Sequence, residues 1–406
     1  MNRRDFASVA LGLGIRARHL WGDASIGGPG KIDEILRSGI ARRKIPAAVG
    51  MAATESKTVY TGAFGERDSQ GTPVTADSIF AIASMTKAVT TVAALQLVEQ
   101  GKVTLDEPVS KHLPQLEKLD VLDGFDAAGK PILRPAKTPI TMKHLLTHTS
   151  GLCYDNWDAN MFRYASQAGA GTIGPLMFEP GARWQYGQGC DWAGRLVEKI
   201  SGMSLEDYFQ AKILGPLEMR DTSYILPASK FDRMVTGWTR DNGGPLKQNE
   251  RALPKPPATF NGGGGLYSTA GDYTRFMQMI LRKGRGPNQA VILQPKTVER
   301  MAVNQIGELT AGKMRSSRPN VSSDVDIQPG FTEKWGLGFL INTTAYHGGR
   351  AAGSLAWAGI YNTFFWIDPK NSLCAVLLMQ FMPFVDKEAV GLLGDFERAV
   401  YGSLKG

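Results

Sequence analysis

Strand signals gather at the two ends of this chain, with a long helical stretch between them, and that arrangement limits its folds more than any other feature. Near the start, the apolar run 47–53 is followed by the polar turn Ala53-Thr54-Glu55-Ser56 and a second run over 58–63, the pattern of a hairpin. Near the end, β-branched and aromatic runs recur at 335–342, 361–367 and 373–380, the last two joined by the turn Asp368-Pro369-Lys370-Asn371-Ser372. Ile32, Ile35, Leu36 and Ile40 repeat with helical spacing before the first hairpin, and a terminal helix is predicted over 387–401. Residues 102–255 carry mainly helical signals, at 142–146, 192–200 and 205–214, separated by Gly- and Pro-rich loops. The sheet must therefore be assembled from both ends of the sequence, with the helical part inserted. This predicts an α/β fold: an antiparallel sheet flanked by helices in a discontinuous domain of residues 30–100 and 256–406, and an all-helical domain over 101–255. Residues 1–29 form an N-terminal extension.

At 406 residues the chain is long enough to bury a catalytic cleft without metals or disulfides. It contains no run of eighteen apolar residues, so no membrane-spanning helix is expected. The net charge of +8 comes from Lys and Arg interleaved with Asp and Glu rather than from a basic stripe, which argues against a nucleic-acid partner. Cys153, Cys190 and Cys374 are far apart and odd in number, so they are read as buried thiols rather than as disulfides or zinc ligands. His144 and His148 have the i, i+4 spacing of a metal pair but no third ligand nearby, so they are read as structural residues of an apolar helix and no metal site is assigned. Asn2-Arg3-Arg4-Asp5-Phe6 and the apolar stretch 7–15 resemble a twin-arginine export signal, yet Arg16 and Arg18 stand where a cleavage site would lie. Periplasmic or secreted export and an uncleaved extension on a cytoplasmic protein both remain open.

The chain has no Gly-x-Ser-x-Gly elbow, no phosphate-binding Gly-rich loop and no His-Glu-x-x-His motif. It has one Ser-x-x-Lys, Ser84-Met85-Thr86-Lys87, at the start of an apolar helix carrying Val89, Val92, Ala93, Leu95 and Leu97 and ended by Gly101. Three residues on a helix means about 4.5 Å of rise and nearly one turn, so both side chains share a face and the lysine can reach the hydroxyl. A serine needs a base to take its proton, and a neutral amine can serve. Moving a lysine from about 10.4 to near 7 requires roughly 5 kcal/mol, which burial and a neighbouring cation can supply. Farther on, Asn261-Gly262-Gly263-Gly264-Gly265 reads as a flexible, hinge-like loop.

The surroundings of that motif extend the argument. Phe80-Ala81-Ile82-Ala83-Ser84-Met85-Thr86-Lys87 is followed by Thr141-Met142-Lys143-His144-Leu145-Leu146-Thr147-His148-Thr149-Ser150-Gly151-Leu152. Then comes Glu179-Pro180-Gly181, leading to Trp184-Gln185-Tyr186-Gly187. In order and spacing these segments resemble the signatures of the serine β-lactamase-related superfamily, of the class C type, from about residue 30 to the C-terminus. The resemblance implies a β-lactamase/penicillin-binding-protein-like fold with an active site in the cleft between its two parts. It also implies that Tyr186 relays protons between nucleophile and leaving group, and it places Gln188 where class C enzymes carry an asparagine. Tyr154-Asp155-Asn156 fits the same short pattern; Tyr154 ranks second and is read as lining the pocket.

The family's Lys-Thr-Gly motif is absent. Trp357-Ala358-Gly359 stands in its place, before the strand expected at 361–367, and resembles family VIII carboxylesterases; His347-Gly348-Gly349 is a rival for the position. An indole in place of a lysine offers an apolar wall rather than a charge for a β-lactam carboxylate. The resemblance therefore implies a carboxylesterase acting on short- to medium-chain esters through an acyl-enzyme on Ser84, with possible weak β-lactamase side activity. Substrate contacts fall to Tyr154, Gln188, Trp357, Ala358 and Gly359, and the oxyanion hole to the backbone N–H groups of Ser84 and Ile360. Either neutral Lys87 or a coupled Lys87–Tyr186 pair accepts the serine proton, and the chemistry calls for no cofactor. Two other readings stand beside this one. Residues 181–198 and 122–125 resemble the fungal statin acyltransferases, which implies acyl transfer to an alcohol or amine; the Ser-x-x-Lys motif also suits a penicillin-binding protein that acylates without turnover.

Overall fold

The computed structural model describes residues 30–168, 173–241 and 243–403, so the basic segment at the N-terminus lies outside the described residues. Helix α1 (Gly30–Arg43) buries Ile32, Leu36 and Ile40 and leads into the expected hairpin of β1 (Ala47–Thr54) and β2 (Thr58–Gly65). The two-residue strand β3 (Phe80–Ala81) feeds a 3-10 turn at Ala83–Met85 and then helix α2 (Thr86–Glu99). Because α2 is apolar or small on every side, it has no face suited to water, and residues 86–97 are all buried.

The inserted segment is not all helical. It contains α3 (Met142–Leu146), α4 (Ala159–Ala168), α5 (Gly189–Ser201) and α6 (Leu205–Phe209). It also carries two hairpins, β4 (Asp120–Phe125) with β5 (Pro131–Pro135) and β6 (Trp238–Arg240) with β7 (Leu246–Gln248). These strands are short and mostly half-exposed, so alternation barely marks them; the first hairpin is set by its turn, where the Asp126 side chain accepts from the Lys130 N–H at 2.8 Å. Strand β8 (Tyr267–Ser268) pairs with β3, and helices α7 (Ala270–Leu281) and α8 (Pro295–Met301) follow.

The stretch expected as one strand at 335–342 is instead a hairpin, β9 (Glu333–Trp335) with β10 (Leu340–Asn342), turned between them by residues that include Gly338 at φ +82°. Strand β11 (Leu355–Gly359), which pattern reading did not find, precedes β12 (Thr363–Asp368) and β13 (Leu373–Leu378). The short β14 (Phe381–Met382) pairs with β6, and α9 (Lys387–Ser403) follows.

Seven strands form one sheet in the order β2-β1-β13-β12-β11-β10-β9, antiparallel throughout. Neighbouring residues on β12 show how both faces are covered: Phe365 meets Tyr273 of α7, whereas Trp366 meets Phe396 of α9. Trp357 pairs with Phe365 in register, so its side chain points to the α7 side, where α2 also packs. That face of the sheet carries the site.

Candidate active site

The 3-10 turn ahead of α2 places Ser84 at the mouth of a buried helix. Ala83 is held at φ +44°, a region an alanine rarely adopts, so the surrounding packing over-determines this turn. Lys87, one turn later, is 1 % exposed. Its Nζ donates to Ser84 Oγ at 3.1 Å and to the Gly263 carbonyl at 2.6 Å. The amine thus faces the hydroxyl, as the helical spacing predicts. The loop read as flexible is instead bonded down, since Thr90 Oγ1 donates to the Gly262 carbonyl and Tyr224 Oη to the Asn261 carbonyl.

Tyr186 is buried, and its ring centre lies 4.7 Å from Lys87 Nζ. The Trp357 indole does more than wall the pocket: its Nε1 donates to Tyr186 Oη at 3.1 Å. Trp357 meets Trp335 edge-on at 4.7 Å, and Trp335 in turn donates to the Leu146 carbonyl, so the indole has little freedom to turn. His148 packs 4.6 Å from the Tyr186 ring. It sits beyond the end of α3 at φ +57°, with Nδ1 accepting from the Gly187 N–H, while His144 Nδ1 accepts from the Thr141 N–H as part of the α3 capping box. The two histidines therefore do not share a helix face; each holds a backbone turn. Burial first, and Lys87 second, push the His148 imidazole well below the ordinary histidine value, so it is neutral at pH 7.

Tyr154, the second candidate phenol, also reaches the lysine, with its ring centre 5.1 Å from Nζ. Its hydroxyl is committed to Asp191, donating to Oδ2 at 2.7 Å, and burial with that carboxylate pushes the phenol well above its ordinary value. Asp191 Oδ1 accepts from the Gly263 N–H at 2.9 Å. Sequence reasoning missed Asp191; its one signal is an acidic residue in the first turn of α5, five residues after Tyr186. The charge on Lys87 also departs from expectation. Burial pulls the ammonium down, but the groups facing it, Tyr186 first and Asp191 next, outweigh burial and hold the lysine above its ordinary value.

The segments that carry the predicted oxyanion donors lie side by side, the end of β11 against the turn before α2. Neither the Ser84 nor the Ile360 N–H donates to a backbone carbonyl in the turns around it. A Cβ built on Gly359 would come within 2.4 Å of the Ile82 carbonyl oxygen, so only glycine lets the end of β11 lie this close to the turn that carries Ser84. Trp357-Ala358-Gly359 is thus part of a strand rather than a lead-in to one. Strand alternation turns the Ala358 side chain to the far face of the sheet, leaving only its backbone on the site side. Gln188 is half-buried at the start of α5, and its amide makes no hydrogen bond among the described residues. The rival His347-Gly348-Gly349 does not join the site: His347 is exposed, and the glycines lie against Arg398 and Glu397 of α9. All three thiols are buried, as expected, and burial pushes Cys190 up to about 12.

A serine at a helix mouth, a lysine on its hydroxyl, a phenol beside the lysine and an opposed strand end describe a site for acyl chemistry. Comparison with known families agrees, for the beta-lactamase profile matches residues 32–396. The chain belongs to the beta-lactamase family. Within it, monacolin J acid methylbutanoyltransferase of Aspergillus terreus is 33 % identical over 396 residues, covering 91 % of this chain and 95 % of its own. Lovastatin esterase of Penicillium rubens is 31 % identical over 405 residues, covering 91 % of this chain and 98 % of its own. A solved mutant simvastatin synthase of Aspergillus terreus has a TM-score of 0.80 at 32 % identity, over 92 % of this chain and 95 % of that one. The beta-lactamase family assignment accounts for the sheet built from both chain ends and for the helices on its two faces.

Proposed function

We propose that this protein transfers an acyl group through an ester on Ser84, from an ester or thioester donor to the hydroxyl of a small-molecule acceptor, with hydrolysis as the same path taken by water. The observation that carries this reading is the bond from Lys87 Nζ to Ser84 Oγ at 3.1 Å, beside a phenol that is itself held by Trp357. Sequence motifs placed hydrolysis first. The order is reversed here because relatives that match nearly the full chain are named methylbutanoyltransferases, and one is named an esterase.

A lysine held in its charged form is a poor base. We assign the base to Tyr186, which lies beside the Lys87 ammonium and receives the Trp357 N–H. Ser84 Oγ attacks the donor carbonyl while its proton passes to Tyr186 Oη. The negative oxygen of the tetrahedral intermediate lies between the N–H groups of Ser84 and Ile360, and loss of one such donor costs about 3 kcal/mol of barrier. The donor's C–O or C–S bond breaks, and Tyr186 returns the proton to the leaving group. The acceptor hydroxyl then gives its proton to Tyr186 and attacks the acyl carbon, and the same proton returns to Ser84 as the new ester leaves. Tyr154, Gln188 and the Trp357-Ala358-Gly359 strand end bound the space open to the acyl chain.

The test is product analysis with a short-chain nitrophenyl ester and increasing concentrations of an alcohol acceptor. The expected result is an ester product that rises with acceptor, and loss of all turnover in Ser84→Ala. Hydrolysis dominating at every acceptor concentration would refute transfer; full activity in Ser84→Ala would refute the acyl-enzyme.

A further inference from the structure

Lys87 Nζ meets Ser84 Oγ, the Gly263 carbonyl and the rings of Tyr154 and Tyr186, and two of these four contacts lead to one carboxylate. The Gly263 carbonyl accepts from Nζ, and the N–H of the same residue donates to Asp191 Oδ1. The Tyr154 ring lies against the ammonium, and its hydroxyl donates to Asp191 Oδ2. Both oxygens of Asp191 are therefore used to place groups that touch the lysine, although no ion pair joins Asp191 to Lys87 directly. The fit is close: a Cβ on Gly263 would come within 2.5 Å of the Asp191 carboxylate.

The titratable groups facing Asp191 are Tyr154 from the loop before α4, Cys190 beside it on α5, Tyr224, and Lys87 and Tyr186 across the site. Burial keeps Tyr154, Cys190 and Tyr224 neutral at pH 7. Among these described residues, Asp191 is thus the carboxylate that faces the Lys87–Tyr186 pair, and the first turn of a helix favours a negative charge there.

We propose that Asp191 is a positioning residue that holds Lys87 charged and turned toward Ser84, through Gly263 and Tyr154, and thereby sets the pH range in which the site works. This deepens the Ser84 acyl-enzyme reading and rests on it. Removing the charge favours the deprotonated form of both Lys87 and Tyr186, so both limbs of the pH profile move the same way, toward acid. A residue that merely filled space would lower activity without moving the profile.

The experiment measures kcat/KM against pH with nitrophenyl butyrate for the wild type, Ser84→Ala, Asp191→Asn and Tyr154→Phe, with thermal melts of each. Asn keeps the shape and an acceptor for Gly263. The expected result in Asp191→Asn is a whole-profile shift of about 1–2 pH units to lower pH, the order expected for loss of one buried charge facing the pair, with kcat reduced about 10- to 100-fold by lost alignment. Tyr154→Phe leaves the charge in place, so its profile stays within about half a unit of wild type while kcat falls about 10-fold. A folded Asp191→Asn enzyme whose profile superimposes on wild type overturns the inference, as does a Tyr154→Phe enzyme with unchanged kcat. The second result decides the matter even where Asp191→Asn fails to fold. Activity in Ser84→Ala overturns the acyl-enzyme reading itself, an outcome distinct from an inactive Ser84→Ala with an unshifted Asp191→Asn.

Discussion

Replacing Trp357 with phenylalanine separates two roles that one side chain plays. The indole fills space against Trp335, and its Nε1 donates to Tyr186 Oη at 3.1 Å. Phenylalanine keeps most of the apolar wall and removes the donor. If Tyr186 acts as a phenolate, that hydrogen bond is charge-assisted and contributes roughly 1.5–3 kcal/mol to holding the base in its reactive form. At about 1.4 kcal/mol per factor of ten, kcat/KM should fall roughly 10- to 100-fold. The acid limb of the profile should also rise, since the deprotonated phenol has lost a stabilising donor.

The substitution leaves a small void beside Trp335, with a stability cost of roughly 1–3 kcal/mol and a melting point a few degrees lower. Stability and catalysis must therefore be measured on the same preparation. A double-mutant cycle with Tyr186→Phe isolates the pair: once the hydroxyl is gone, Trp357→Phe should cost catalysis almost nothing further. Wild-type kcat/KM in folded Trp357→Phe, or a loss undiminished in the Tyr186→Phe background, would refute the argument that the indole acts on the phenol.

Other expectations follow from groups away from the chemistry. Arg350 and Glu397 form a buried ion pair at 2.7 Å, so Arg350→Met should lose about 3–5 kcal/mol by stranding the carboxylate, with much of it recovered in Arg350→Met/Glu397→Leu; an unchanged denaturation midpoint in the single variant would count against it. Burial penalises the Glu397 carboxylate, yet Arg350 holds it below the ordinary value of 4.5, so its stabilisation is present above that pH and lost as pH falls through the lower folded value. Denaturant titrations should therefore show the gap between wild type and Glu397→Gln shrinking from pH 6 to pH 3. Cys153, Cys190 and Cys374 are buried with raised thiols, so none should react with a disulfide reagent until the protein is unfolded; one fast-reacting equivalent would contradict their placement.

The readable parts of the site were those set by short-range spacing. Ser84 and Lys87 lie three residues apart at the start of one helix, and Tyr186 follows its Pro-Gly-x-x-Trp approach, so local pattern was enough to single out side chains that the fold brings together. Strand β11 was missed because Leu355-Ala356-Trp357-Ala358-Gly359 is rich in small residues and carries little β signal of its own; its identity as a strand comes from pairing with β12 and β10. The glycine run 261–265 was misread for a related reason. Glycine implies freedom in an isolated chain, but here freedom is what allows the backbone to come within reach of Lys87, Thr90 and Asp191. Asp191 was invisible because its partners lie 37 and 72 residues away along the chain.

The charge of Lys87 bears on the choice the motifs left open, between a neutral amine and a coupled Lys87–Tyr186 pair. Burial considered alone argues for the neutral amine, and spacing along the chain does not say which groups face it. The fold adds a phenol whose ring centre lies 4.7 Å from Nζ and a carboxylate one residue removed, which is the arrangement the coupled pair calls for. Cation and phenolate stabilise each other, and the catalytic base becomes the partner that the lysine charges. On that account Lys87→Met should regain part of its activity as rising pH ionises the phenol without the lysine's help, whereas an enzyme whose base is the neutral amine would stay inactive in Lys87→Met at every pH and would gain activity in the wild type through the lysine's ordinary range. The alkaline limb of the wild-type profile decides between them: a fall at high pH fits the ammonium–phenolate pair, and a continued rise fits the free amine.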